Sequence, residues 1–324
     1  MMSEDWADRV AQDFQRRGLL ERGACLILGG ADTGKTTLAL ALAARIAQSR
    51  PVAIVDADIG QSHIGPPSTV GWAVVDNPDF DLSVVEPGPV RNPTPHTAST
   101  PHQRISNGAG VIAFVGDITP VGHLLQFTAA LTRCVEQAAK LAEVILIDTP
   151  GFIAGPPANA LWWTVQHVLT PDVIIMVQRA NELSDILAGL KFCGSRVEPV
   201  QSPASISVKS PQQRCRHRQR QFEIYFRDSA CYNLSLADLS VQGGRDVPPQ
   251  DLPGRLVGLR NHKGDDLAVG VIRKWQAPRT PPLGVPSGTC GDADGLVVVK
   301  APKLDTGQIR CLVVGDAQAD FGEG

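Results

Sequence analysis

The run Gly29-Gly30-Ala31-Asp32-Thr33-Gly34-Lys35-Thr36-Thr37 follows an apolar segment, residues 24–28, and opens a segment of helical character, residues 35–48. It matches the pattern G-x-x-x-x-G-K-T. Glycines at such a strand-to-helix turn let backbone N–H groups point into a phosphate-sized hollow at a helix N-terminus. We therefore predict that residues 29–37 bind nucleotide phosphates, that Lys35 reaches the β- and γ-phosphates, and that the Thr36 hydroxyl ligates Mg²⁺.

The surrounding sequence alternates short apolar runs with helical segments. Most of the runs are apolar on both faces, as in strands buried inside a parallel sheet. We predict an α/β fold, a doubly wound and mainly parallel sheet with helices on both faces. The predicted strands are residues 24–28, 52–55, 110–115, 144–147 and 172–177, and the predicted helices are residues 35–48, 122–141, 158–169 and 180–192.

Three regions complete the predicted organisation. Residues 1–22 read as an amphipathic helix ahead of a P-loop domain at residues 23–227, and residues 228–324 read as a small β-rich domain. Residues 61–107 are unusually long for a connection and rich in proline, so we interpret them as an ordered functional excursion beside the site.

Bulk composition excludes some classes and leaves others open. The 324 residues carry a formal net charge of −3, so a polyanion site has to come from local clustering. The seven cysteines show no C-x-x-C pair and no zinc-site spacing, which indicates free thiols. No run resembles a signal peptide or a membrane span, so we expect a cytoplasmic protein without a membrane partner.

Two carboxylates and an amide stand where the second predicted strand ends, in Asp56-Ala57-Asp58-Ile59-Gly60-Gln61. Ligands of open α/β sheets bind at the carboxyl ends of the strands. Strand alternation puts Asp56 and Asp58 on one face. We predict that one of the two carboxylates ligates the metal through water and that the other accepts the proton of an attacking hydroxyl.

A second acidic strand end is Asp148-Thr149-Pro150-Gly151, which is similar to the D-x-x-G of GTPases. A GTPase also needs an N-K-x-D motif to read guanine, and the nearest candidate, residues 261–265, has the wrong spacing. We predict Asp148 to be a further metal-site residue, and a GTPase is weakened as an alternative.

One basic run contains no acidic residue: Lys209, Arg214, Arg216, Arg218 and Arg220 lie on a predicted helix at about residues 209–224. Residues four apart share a helix face, so Arg214 and Arg218 point one way and Arg216 and Arg220 nearly the opposite way. One pair can clamp phosphates while the other faces solvent or a nucleic-acid backbone.

Taken together, these motifs and Phe114-Val115-Gly116-Asp117-Ile118-Thr119-Pro120 resemble the polynucleotide 5′-hydroxyl kinase family, over about residues 26–226. Its members include the RNA kinase subunit of the eukaryotic pre-mRNA cleavage machinery, ribosomal RNA processing kinases and archaeal relatives. The resemblance implies ATP and Mg²⁺ as cofactors and the 5′-hydroxyl ends of RNA or DNA as the acceptor; it carries over no protein partner.

The resemblance also implies residue roles. Asp58 is the base that receives the 5′-hydroxyl proton, and Arg214, with Arg218, belongs to a lid helix over the ATP phosphates. Gln61, Asp117, Thr119 and Phe152 lie at the substrate, with Phe152 in place of a base-stacking tryptophan. The upstream lid arginine of the family falls near Lys209, which lacks the guanidinium fork.

Two other function classes remain open on the sequence. One is an ATP-binding scaffold of RNA processing that has lost catalysis. The other is a small-molecule kinase or a GTPase-like regulator built on the same P-loop core.

Overall fold

The computed structural model describes residues 2–80, 111–190, 193–244, 246–277 and 295–319. Seven strands form the first sheet: β1 (Gly23–Gly29), β2 (Val52–Asp56), β3 (Thr69–Val75), β4 (Val111–Phe114), β5 (Val144–Asp148), β6 (Val173–Gln178) and β7 (Arg196–Gln201). Their order is β4-β3-β2-β5-β1-β6-β7. Neighbouring strands pair in parallel, except that β3 runs antiparallel to both β2 and β4.

Helices cover both faces of this sheet. They are α1 (Met2–Arg16), α2 (Lys35–Ile46), α3 (Leu124–Ala138), α4 (Pro156–Leu169), α5 (Ser184–Leu190) and α6 (Pro211–Tyr225). On one face, Phe14 of α1 and Leu38 of α2 pack on Ile27 of β1. On the other, Phe127 of α3 and Trp162 of α4 are fully buried. The predicted doubly wound, mainly parallel α/β fold is confirmed. None of the helices in the described ranges is long and apolar enough to cross a bilayer.

A second sheet follows α6. Its strands are β8 (Ser229–Ser235), β9 (Ser240–Gln242), β10 (Arg255–Arg260), β11 (Asp266–Gln276), β12 (Leu296–Pro302) and β13 (Cys311–Gln318), in the order β8-β12-β11-β10-β13-β9. Single 3₁₀ turns lie at Leu236–Asp238, Pro249–Asp251 and Thr306–Gln308. We call residues 229–319 the β module. Its own apolar core includes Val257, Leu259 and Val299, all fully buried.

The first sheet contains two strands, β3 and β7, that the sequence analysis did not predict. The stretch interpreted as a proline-rich excursion contains β3, whose residues are all buried. Pro66, Pro67 and Pro78 flank β3 and leave its hydrogen bonds intact, and residues 81–107 of that stretch lie outside the described residues. β7 contains Pro199, which a strand tolerates at the edge of a sheet, where β7 lies.

Candidate active site

The P-loop joins β1 to α2 through backbone of alternating hand. Asp32 has φ 56° and Gly34 has φ 95°, and such alternation turns successive N–H groups toward one concave side. Lys35 is buried and its Nζ donates to the carbonyl of Gly30 at 2.7 Å. Burial lowers the pKa of Lys35, while the nearby Asp148, Asp58 and Asp32 oppose that change. The lysine is thus held inside the loop, where an anionic phosphate group would be its natural partner.

Asp148 ends β5 beside the P-loop. Its Oδ2 accepts a hydrogen bond from the Thr36 hydroxyl at 2.5 Å, and its Oδ1 is buried without a hydrogen-bond partner in the described residues. Burial raises the pKa of Asp148, and the positive charge of Lys35 opposes this. A hydroxyl beside an oxygen that lacks a partner suits a hard cation such as Mg²⁺, which keeps several waters and takes few protein ligands. No cluster of three or more His, Cys, Asp or Glu side chains that could hold a metal occurs in the described ranges.

Asp56 is the register partner of Asp148 on the neighbouring strand, but its carboxylate is already used. Oδ1 accepts from the backbone N–H of Asp58 at 3.1 Å, and Oδ2 accepts from the N–H groups of His63 and Ile64 at 2.5 and 2.9 Å. Burial raises the pKa of Asp56 to about 7. The assignment of Asp56 to the metal stays a prediction; in the structure its oxygens organise the loop that follows β2.

Asp58 stands on that loop and is half-buried. Its Oδ1 accepts from the N–H groups of Gly60 and Gln61 at 3.2 and 3.1 Å, which fixes the carboxylate in a tight turn. Gln61 Nε2 reaches the carbonyl of Arg214 on α6 at 3.2 Å, and Gln61 Oε1 is buried without a hydrogen-bond partner in the described chain. The loop and the lid helix thus meet at Gln61.

The lid helix, α6, lies across the P-loop. It begins after the N-cap residue Ser210, whose hydroxyl accepts from the N–H of Gln213, so Lys209 stands outside the helix. Arg214 Nη2 lies 2.5 Å from Asp32 Oδ2, which also accepts from the N–H of Lys209 at 3.0 Å. Arg216 and Arg220 are exposed. Of the pair Arg214 and Arg218, which helical spacing puts on one face, Arg214 contacts the P-loop and lines the cleft, whereas Arg218 is not among the lining residues.

A cleft of about 570 Å³ opens between the P-loop, the Asp58 loop and α6. It brings together most of the predicted site residues, which are Ala31, Asp32, Thr33, Gly34, Lys35, Thr36, Thr37, Asp58, Gln61, Thr119, Phe152 and Arg214. Gly29 and Gly30 are not among the lining residues. Gly29 needs to lack a side chain, because a Cβ there would lie 2.4 Å from the carbonyl oxygen of Val177.

Asp117 is not among the residues that line the cleft, and its contact with substrate stays a prediction. Its Oδ1 accepts from the N–H of Ile118, and its Oδ2 lies 3.8 Å from His123 Nδ1. The neighbouring Thr119 and, across the cleft, Phe152 do line it; their contact with substrate stays a prediction.

Several residues of the site were missed by the sequence analysis. The exposed Arg179 donates to the carbonyls of Ala31 and Asp32 from just beyond β6. The strand-end rule that found Asp148 applies equally to Arg179. His63 and the segment 205–207 also line the cleft, but they lie in irregular loops whose sequence carries no periodic signal.

Comparison with known proteins gives a consistent picture. A profile of the mRNA cleavage and polyadenylation factor CLP1 P-loop family matches residues 29–228. Proteins named polyribonucleotide 5′-hydroxyl-kinase from Pyrococcus abyssi and Pyrococcus horikoshii are each 30% identical, over 237 and 239 residues. Each match covers 73% of this chain, and the chain spans 60% and 58% of the length of these relatives.

Solved structures agree on the fold. The structure of wild-type Clp1p in complex with Pcf11p superposes with a TM-score of 0.66 at 11% identity, covering 96% of this chain and 77% of that one. A second Clp1p–Pcf11p structure gives 0.65 at the same identity. At this level of identity the likeness concerns the fold alone.

Proposed function

Since the chain belongs to the mRNA cleavage and polyadenylation factor CLP1 P-loop family, we propose that it transfers the γ-phosphate of ATP to the 5′-hydroxyl end of a polynucleotide. One observation carries the proposal. A single cleft holds the P-loop Lys35, the hydrogen-bonded carboxylate of Asp58 and the guanidinium of Arg214 on α6. The names of the Pyrococcus relatives favour RNA as the acceptor.

In the proposed reaction the 5′-oxygen of the acceptor forms a bond to the γ-phosphorus as the bond from that phosphorus to the bridging oxygen of ADP breaks. Asp58 takes the hydroxyl proton. Phosphoryl transfer passes through a loose transition state, so a weak base is sufficient and the protein mainly positions groups and balances charge.

The cations of the cleft provide that balance. Lys35 leaves the carbonyl of Gly30 for the β- and γ-phosphates, and Arg214 leaves Asp32 for the oxygens of the transferred group. Thr36 and Asp148 would hold Mg²⁺, which supplies neutralisation of the phosphate charge when bound. Phe152, which is half-buried and lines the cleft, would stack on the terminal base of the acceptor.

The test is incubation with γ-labelled ATP and 5′-hydroxyl single-stranded RNA or DNA oligonucleotides, with the 5′-phosphorylated oligonucleotides as controls. Label on the 5′-hydroxyl forms alone supports the proposal and ranks the acceptors. ATP binding without label on any oligonucleotide would favour the scaffold alternative, and preference for GTP would favour a GTPase-like regulator.

A further inference from the structure

The β module provides the missing neighbour for the edge strand β4. At Phe114 the backbone N–H donates to Asp266 Oδ2 at 2.8 Å, and the carbonyl accepts from Arg260 Nη2 at 3.3 Å. Arg260 Nε also donates to Asp266 Oδ1 at 2.8 Å. An edge strand leaves a row of unpaired donors and acceptors, and here one ion pair supplies both an acceptor and a donor, as the next strand would.

The pairing continues two residues further along the same edge. The carbonyl of Gly116 accepts from the N–H groups of Asp316 and Ala317 at 2.8 and 3.0 Å. The backbones approach so closely that a Cβ on Gly315 would lie 2.5 Å from the Gly116 oxygen. Residues 117–120 follow directly, and Ile118, Thr119 and Pro120 line the cleft. The module therefore holds the strand end from which one wall of the cleft projects.

The same module holds the other wall, the lid helix. The Tyr225 hydroxyl at the end of α6 accepts from the N–H of Val269 in β11 at 2.8 Å. Phe222 and Phe226 are buried in an apolar cluster that also contains Phe114 of β4 and Val269. One cluster thus joins the lid helix, the edge strand and the module.

The chemistry of the join goes beyond apolar packing. The Asp266 side chain is only 2% exposed. A buried carboxylate that bonds both a backbone N–H and an arginine fixes a single geometry, because any shift leaves a charge unpaired in a dry site. A contact of this kind holds β4 in one fixed position relative to the β module.

We propose that the β module is a positioning device for the active site, which fixes the cleft-lining residues 118–120 through Asp266 and the lid helix through Tyr225. The proposal rests on the proposed function for what the cleft does. In it Asp266 and Tyr225 are positioning residues: they touch neither nucleotide nor acceptor.

The test compares Asp266→Asn with a matched control, Asp265→Asn. Asp265 is the neighbouring residue and pairs with Arg133 of α3, so its variant removes a charge from the same interface without touching β4. We expect Asp266→Asn to raise the KM for a 5′-hydroxyl oligonucleotide by about ten-fold, the loss of one charge-assisted hydrogen bond, and to leave the KM for ATP unchanged. Asp265→Asn leaves both values unchanged.

Tyr225→Phe probes the other wall. Loosening the end of α6 should lower kcat and raise the KM for ATP, through Arg214, while the KM for the oligonucleotide stays the same. A general loss of stability would change kcat and both KM values in the same way in the two variants. Different changes in Asp266→Asn and Tyr225→Phe therefore indicate that each residue positions its own wall of the cleft.

Amide hydrogen exchange supplies a readout that does not depend on activity. Residues 114–119 should exchange faster in Asp266→Asn, and not in Asp265→Asn, even if wild-type protein labels no oligonucleotide and the proposed function fails. Wild-type exchange and a wild-type acceptor KM in folded Asp266→Asn overturn the inference. Should that variant fail to fold, wild-type exchange of residues 211–225 and wild-type kinetics in Tyr225→Phe overturn it instead.

Discussion

Arg214 of the lid helix is ion-paired with Asp32 of the P-loop, Nη2 to Oδ2 at 2.5 Å. The P-loop carboxylate therefore competes with the γ-phosphate for the same guanidinium. Given the proposed role of Arg214, removal of this competing charge should change the affinity for ATP.

Asp32→Asn should bind ATP more tightly. The substitution removes the competing charge, whereas an asparagine still accepts from the N–H of Lys209 and tolerates the positive φ of 56° at this position. A part-exposed ion pair contributes about 0.2–1 kcal/mol, so the Kd should fall by up to about five-fold. Calorimetric titration with a non-hydrolysable ATP analogue measures it; weaker binding would show that the pair supports the nucleotide site.

Arg214→Ala should lower kcat far more than Arg216→Ala. Arg214 reaches the P-loop, and an arginine that balances transition-state charge contributes about 10³-fold or more in rate. Arg216 is exposed on the other side of the helix and serves as the matched control. Arg218→Ala should lower kcat less than Arg214→Ala, since Arg218 is not among the residues that line the cleft. Equal effects of the three variants on kcat would remove the specific role of Arg214.

Asp58→Asn should abolish phosphate transfer while ATP binding is kept. The asparagine oxygen can still accept from the N–H groups of Gly60 and Gln61, so the turn survives and only the base is lost. Asp58→Ala should be equally inactive but should lose the turn as well. Transfer at the wild-type rate by either folded variant rules out Asp58 as the base.

Asp148→Asn and Asp56→Asn should separate a metal site from a structural carboxylate. Asp148 has an oxygen without a partner beside Thr36, so its variant should raise the Mg²⁺ concentration for half-maximal activity by about ten-fold. Asp56 bonds only loop groups, and its variant should lower the melting temperature without a comparable change in Mg²⁺ dependence. A raised Mg²⁺ requirement in Asp56→Asn and not in Asp148→Asn would indicate that Asp56 holds the metal.

The sequence is most informative about candidate site residues that stand at or just beyond the carboxyl ends of strands. Asp58 and Asp148 were found because the carboxyl ends of parallel strands meet at one edge of a sheet. The same reasoning could not predict that the surroundings of Asp56 and Asp148 differ, because the difference lies in the N–H groups that the loop after β2 turns toward Asp56.

The sequence is less informative about parts whose structure depends on distant contacts. β7 is a strand despite Pro199 because it pairs with β6 along one side only. The Asp117 side chain lies 3.8 Å from His123, which no local pattern indicates. The β module could be predicted as a β-rich domain, but its contacts with Phe114 and Gly116 bring together residues some 150 to 200 positions apart in the chain.

The decisive measurement is the position of the transferred phosphate. Wild-type protein and Lys35→Ala are incubated with γ-labelled ATP and a 5′-hydroxyl RNA oligonucleotide, and the labelled product is digested to mononucleotides. We predict that all label is found as the 5′-monophosphate of the terminal nucleotide and that Lys35→Ala yields none. Label recovered only as inorganic phosphate, or at an internal or 3′ position, would contradict transfer to the 5′-hydroxyl.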